Sequence, residues 1–142
     1  MKIAVGSDHA GFDLKVEILE FLRQKGVEVV DFGPSSAERC DYPDFAHPVA
    51  NAVESGKVDF GLLMCGSGNG INMAANKHQG IRSALCWEEE IAALARQHND
   101  ANICALPARY LSVEKSKAIV QSFISEKFEG GRHQQRINKI PV

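Results

Sequence analysis

The segment Cys65-Gly66-Ser67-Gly68-Asn69-Gly70 concentrates more chemistry than any other stretch of the chain. Glycines at alternate positions let backbone N–H groups point outward together. A helix starting there adds the positive end of its dipole, so the turn can hold a phosphate or an oxyanion forming on a substrate. The dinucleotide fingerprint is excluded, because position 71 is Ile and the turn follows the third predicted strand. A Walker loop is excluded by the lack of a Gly-Lys-Ser/Thr run. Cys65, at the mouth of the turn, suits a base or nucleophile whose negative charge the N–H groups favour. The residues alone equally allow a buried thiol used as a small hydrophobe.

Ser7-Asp8-His9-Ala10-Gly11 pairs a carboxylate with an imidazole. Asp8 can hold a substrate hydroxyl or cap the next helix, and His9 can bind phosphate or sit in a loop. In His98-Asn99-Asp100 an imidazole suited to proton transfer adjoins an amide, although His98 and Asn99 can also simply end a helix. Arg132 and Arg136, four residues apart, face the same way if their segment is helical and can then clamp a phosphate. The other reading is a solvated terminal face. Arg109 is a third cationic candidate. His47 and His78 read as loop or surface residues. Cys40, Cys86 and Cys104 form no Cys-x-x-Cys pair and no zinc spacing, so neither a metal site nor a disulfide framework is expected.

Alternating strands and helices must position these groups. Ile3–Val5, Val27–Val30, Phe60–Met64, Ile81–Leu85 and Ile103–Leu106 read as short apolar strands. Helices are predicted around Leu14–Leu22, Phe45–Ser55, Ile71–Asn76 and after Glu88-Glu89-Glu90. A final helix is capped by Ser112 and buries Ile119, Val120, Phe123 and Ile124. This pattern predicts an α/β fold: a three-layer, doubly wound sheet of about five parallel strands, with ligand chemistry beyond the strands' carboxyl ends. The loops 6–11, 32–43, 65–70, 86–87 and 107–110 should meet there.

With 142 residues, 44% of them hydrophobic, the chain suffices for one domain that needs no cross-links. A net charge of −2 supplies no field for a nucleic acid backbone or an anionic membrane, but leaves room for a small anionic ligand. No apolar run approaches a bilayer span and no signal-peptide pattern opens the chain, so a cytoplasmic location is expected.

Seven segments occur together in the order that resembles the ribose-5-phosphate isomerase type B family. They are Ser7–Gly11, Asp41-Tyr42-Pro43-Asp44, Cys65–Ile71, Ala74–Lys77, Gly80-Ile81-Arg82, Arg96–Asn102 and Phe128–His133. The resemblance implies a Rossmann-like or flavodoxin-like domain over 1–142 that interconverts ribose 5-phosphate and ribulose 5-phosphate in the pentose phosphate pathway without metal or other cofactor. It implies Cys65 as the base, His98 as the ring-opening acid/base, and Ser67 assisting an anion hole built from Gly66, Gly68, Asn69 and Gly70. Asp8, Tyr42 and Asn99 are implied to hold the sugar, and His9, Arg109, Arg132, His133 and Arg136 its phosphate. It further implies a homodimer, or a pair of dimers, with a shared site. In that arrangement 128–142 is a phosphate-binding and dimer-contact tail, and His98, Asn99 and Arg109 serve the partner's pocket. Ser67 stands where many members carry threonine. Met73 and Ala74 lie where relatives without the cysteine place a glutamate, so the chain resembles the cysteine class. The competing expectations are an isomerase of allose 6-phosphate or galactose 6-phosphate, and a non-catalytic nucleotide- or flavin-binding module.

Overall fold

Side chains along the central strands alternate between two cores. Ile3, Val5, Leu62, Met64, Cys104 and Leu106 enter one, while Ala4, Leu63, Cys65, Ile103 and Ala105 enter the other. Such two-sided burial requires helices on both faces of the sheet. The computed structural model, which describes residues 1–142, contains β1 (Lys2–Ser7), α1 (Phe12–Gln24), β2 (Glu28–Asp31), α2 (Pro43–Glu54), β3 (Phe60–Cys65), α3 (Asn69–Ala75), β4 (Ser83–Leu85), α4 (Glu89–Asn99), β5 (Ile103–Pro107), α5 (Val113–Ser125) and α6 (Arg132–Ile137). Helices α1, α4 and α5 cover one face, and α2 with α3 the other.

The five strands are all parallel, in the order β2-β1-β3-β5-β4. The expected three-layer architecture is therefore present. The chain steps from β3 out to edge strand β4 through α3 and returns inward to β5 through α4, so the last two strands are exchanged relative to the 2-1-3-4-5 flavodoxin order. Because α1 leaves β1 toward one face and α3 leaves β3 toward the other, the crevice opens between neighbouring strands β1 and β3.

Several boundaries differ from the sequence expectation. Helix α3 begins at Asn69 rather than Ile71, which draws Asn69 and Gly70 into its first turn. Strand β4 shortens to Ser83–Leu85 because Arg82 N–H is taken by the Asn102 side chain and Ser83 N–H by Asn76. The arginine-rich tail is helical as α6, so Arg132 and Arg136 do occupy helical spacing. Cys86 and Cys104 are wholly buried core residues, as their apolar reading predicts. No helix is long and apolar enough to cross a membrane.

Lys15 is a structural cation that hydrophobic periodicity missed. Only 1% exposed on α1, it donates to Asp31 Oδ1 at 2.8 Å and to the Pro34 carbonyl at 2.6 Å. Asp31 also accepts the Gly33 N–H, and Ser7 N–H bonds the Gly33 carbonyl, so this cation ties α1 to the loop bordering the first turn of the site. Lys15 is buried but Asp31 remains open to water, so Lys15→Ala, which strips the Pro34 carbonyl and the Asp31 carboxylate of a charged donor, should lower unfolding stability by about 2 kcal/mol in denaturant titration.

At the start of α4, Glu88 and Glu89 both accept from Lys115 of α5, whose N-terminus Ser112 caps as expected. The hydrogen bond from Lys115 holds the Glu89 carboxyl below its ordinary range. A depressed carboxyl contributes stability above its unfolded pKa and loses it as pH falls through the folded value. Lys115→Met should therefore flatten the dependence of melting temperature on pH in the acid range below the ordinary carboxylate pKa.

Candidate active site

Three backbone hydrogen bonds fasten the glycine turn to the strands on either side. Asp8 N–H donates to the Met64 carbonyl at 3.1 Å, Ala108 N–H to Cys65 at 2.9 Å and Arg109 N–H to Gly66 at 3.0 Å. Loops from β1 and β5 are thereby drawn against Cys65, which is 4% exposed at the end of β3. Gly68 adopts φ +76°, where side chains are strained, and a Cβ there would stand 2.4 Å from Leu85 Cδ1. The reversal into α3 depends on that residue. Ser67 Oγ accepts from the Asn69 backbone and side-chain nitrogens at 3.3 Å, which fixes the hydroxyl at the rim of the turn.

Tyr42 and Arg109 border the same turn. The Tyr42 ring lies against Gly70, so close that a Cβ on the glycine would approach ring carbon Cζ to 2.6 Å, and the Arg109 guanidinium lies against Gly66. Asp8 is buried. Its Oδ1 accepts the Gly11 N–H at 3.1 Å, so it tightens the turn into α1, while the loop geometry also brings it beside Met64 and Cys65. His9 Nδ1 sits 3.2–3.3 Å from the Cys40 carbonyl and amide, which orients the ring from the 32–43 loop. Burial pushes the Cys40 thiol above its ordinary range, with the carboxylates of Asp8, Asp41 and Asp44 adding to the rise.

The other expected residues lie at the opposite edge of the sheet. Helix α4 runs back antiparallel to the strands, so its last residues, His98 and Asn99, come just before β5 begins at Ile103. A strand of that length separates the two edges by about 15 Å. The tail joins them there: Glu129 N–H donates to the Gln97 carbonyl, and the His133 ring stacks on His98 with centroids 4.3 Å apart and planes 12° from parallel. Arg132 and Arg136 belong to the same α6.

The expected cations therefore divide between two edges. Within one chain, His9 and Arg109 do not converge with Arg132, His133 and Arg136, because parallel strands separate the carboxyl edge from the amino edge. Arg109 stands with Cys65 of its own chain, not with His98 and Asn99. Each chain carries Asp8, His9, Tyr42, Cys65, the 66–70 turn and Arg109 at one edge. It carries His98, Asn99, Arg132, His133 and Arg136 at the other.

The amino-edge group is held by residues that the sequence reading quoted but did not interpret. Asp100 closes α4 at φ 45°, a left-handed conformation that aspartate tolerates better than most side chains. Arg96 donates to Asp100 Oδ1 at 2.8 Å and to the Ala101 carbonyl at 2.7 Å, with its guanidinium 4.7 Å from the Phe60 ring centroid. Arg82 donates to the carbonyls of Asn99 and Asp100. These cations cover the negative end of the helix and fix where His98 and Asn99 stand. A cavity of ≈ 500 Å³ opens here, lined by Asn99, Arg82 and His78 together with Ile140 and Val142 of the tail. His98, Glu129 and His133, separated in the sequence, become neighbours only in three dimensions.

Comparison with known proteins gives these two edges a common context. The family model described as Ribose/Galactose Isomerase matches residues 3–140. Ribose-5-phosphate isomerase B of Escherichia coli strain K12 is 52% identical over 139 residues, which cover 98% of this chain and 93% of that protein. The solved ribose-5-phosphate isomerase B of Clostridium thermocellum superposes with a TM-score of 0.98 at 49% identity, over 99% of this chain and 95% of that one. The Mycoplasma genitalium enzyme, solved with bound ribulose 5-phosphate, does so with a TM-score of 0.94 at 47% identity, over 98% and 93%. Fold, motif order and near full-length identity agree: the chain belongs to the ribose/galactose isomerase family.

Proposed function

We propose that the protein is a ribose-5-phosphate isomerase, interconverting ribose 5-phosphate and ribulose 5-phosphate. The observation that carries this reading is the junction of Cys65 with a glycine turn opening a helix, in a chain 47% identical to an isomerase solved with ribulose 5-phosphate bound. A nucleotide or flavin module needs no thiol at that place. The reading places the enzyme in pentose phosphate metabolism and in the cytoplasm.

The mechanism follows from the demands of the reaction. The cyclic sugar must open: His98 passes a proton to the ring oxygen, solvent water takes the anomeric hydroxyl's proton, and the bond from C1 to the ring oxygen breaks as the C1 carbonyl forms, with Asp8 and Asn99 holding neighbouring hydroxyls. The open aldehyde then has a weakly acidic hydrogen on C2. Cys65, as thiolate, takes that proton; the C2–H electron pair forms the C1–C2 double bond, and the carbonyl electrons move onto O1. The resulting enediolate oxygen meets the N–H groups of the 67–70 turn, assisted by the Ser67 hydroxyl. Fixed amides stabilise that charge without reorganising, which lowers the barrier more than added base strength does. The O2 hydroxyl proton passes to O1, and Cys65 returns its proton to C1 as the O2 electron pair forms the C2 ketone and the C1–C2 double bond closes onto C1–H. Cations held at the far end of the substrate keep the opened chain in register.

The separation of the two residue groups supports a homodimer whose partner brings His98, Asn99, Arg132, His133 and Arg136 to the Cys65 edge of its neighbour, with Arg109 supplied by the Cys65 chain. In this arrangement the 128–142 tail is the dimer-contact and phosphate-binding element. A bound phosphosugar then touches His9 and Arg109 from one chain and the α6 cations from the other.

Cys65→Ala should lower kcat on ribose 5-phosphate by at least about a thousandfold while retaining binding of a sugar phosphate in calorimetry. Turnover unchanged by this substitution would remove Cys65 from the reaction. A higher kcat/KM on allose 6-phosphate or galactose 6-phosphate than on ribose 5-phosphate would change the substrate assignment and keep the reaction type. The shared site has its own test, since mixing inactive Cys65→Ala with inactive His98→Ala lets each mixed dimer assemble one intact site. After subunit exchange about a quarter of wild-type activity should return. A mixture that stays inactive despite demonstrated exchange would place all catalytic groups within one chain.

A further inference from the structure

At the amino edge, a carboxylate stands beside two stacked imidazoles. Glu129 Oε2 lies 3.9 Å from His98 Nε2 and 3.6 Å from His133 Nε2, too far for hydrogen bonds, and the candidate ligand atoms of all three residues fall within 4.8 Å of one another. We propose that His98, Glu129 and His133 form a binding site for a divalent transition-metal cation of the zinc type, and that the bound ion inhibits the enzyme.

The donor set is the first argument. Two neutral imidazole nitrogens and a carboxylate oxygen suit zinc and its neighbours, whereas calcium and magnesium prefer oxygen alone. Distance is the second. Metal–ligand bonds near 2.0–2.1 Å in a tetrahedron set ligand atoms about 3.3 Å apart, so the two carboxylate spacings of 3.6 and 3.9 Å need to close by a few tenths of an ångström, and rotation of the stacked rings brings the imidazole nitrogens, within 4.8 Å, into the same set. Preorganisation is the third. Glu129 is anchored through its amide to Gln97, the residue before His98, and the His133 ring is largely buried. Glu129 lies in the irregular segment that leads into α6, with His133 in the helix's first turn. The His98 and Glu129 side chains are 38% and 53% exposed, which leaves an approach for the ion and a fourth position for water. The other histidine pair lacks this convergence: His47 Nδ1 and His78 Nε2 are 2.9 Å apart, but Glu54 faces the far nitrogen of His78.

Inhibition rests on the reading of His98 as the ring-opening group, because a metal on Nε2 occupies the lone pair that must exchange a proton. Binding itself does not depend on that reading, so the two are measured separately. Zn2+ is titrated into the chelator-stripped, reduced full-length protein by calorimetry, and isomerase activity is followed over the same range. The wild type should bind one equivalent per chain that Glu129→Gln lacks, and EDTA should restore its activity. Glu129→Gln, with inhibition referred to the variant's own basal turnover, should need at least about tenfold more Zn2+ for half-inhibition. Equal Zn2+ binding by wild type and variant, or none by either, overturns the site whatever the activity does. Binding that differs as expected but leaves turnover unaffected overturns the inhibitory role and assigns the fault to the role given to His98.

Discussion

An all-parallel sheet has a direction, and that direction governs the layout of this protein. Every turn from strand to helix emerges at one edge, and every return from helix to strand closes at the other. The glycine turn, Asp8, Tyr42 and Arg109 share an edge because all follow or border carboxyl strand ends. His98 and Asn99 terminate a returning helix and must lie at the opposite edge. Side-chain chemistry has no influence over this division; the hydrogen-bonding register of β1, β3 and β5 imposes it.

Backbone atoms do much of the positioning at the carboxyl edge. Bonds from Asp8, Ala108 and Arg109 to successive carbonyls of Met64, Cys65 and Gly66 lock three loops into one surface. Charged side chains do the corresponding work at the amino edge, where Arg82 and Arg96 gather around Asp100 and the exposed carbonyls of the helix end. The two edges thus use different physics for the same purpose. Rigid amides suit a place where negative charge develops, and guanidinium groups suit one where helix carbonyls need partners.

Much of the fold was legible from local patterns. Apolar runs such as Phe60–Met64 announced buried parallel strands, Ser112 announced a helix start, and the glycine run announced a tight turn into a helix. What escaped was information held by contacts between distant segments. Nothing local marks Lys15 as buried; its partners Asp31 and Pro34 arrive from another element. The exchange of β4 and β5 has no local signature, because crossover length permits either neighbour. The division of the arginines between two edges was hidden for the same reason: residue type shows that a guanidinium can bind phosphate, and only the path of the chain shows which edge it reaches.

The left-handed closure of α4 at Asp100, with two arginines spent on it, bears on how the proposed assembly would behave in dilution. On the shared-site reading, an isolated chain holds two unlike halves facing away from each other and can complete neither by bending, because the sheet between them is stiff. Catalytic competence then becomes a property of an encounter rather than of a fold. Its onset would follow the chain's own concentration, and the helix end at Asp100 would be the surface feature by which one molecule finishes another.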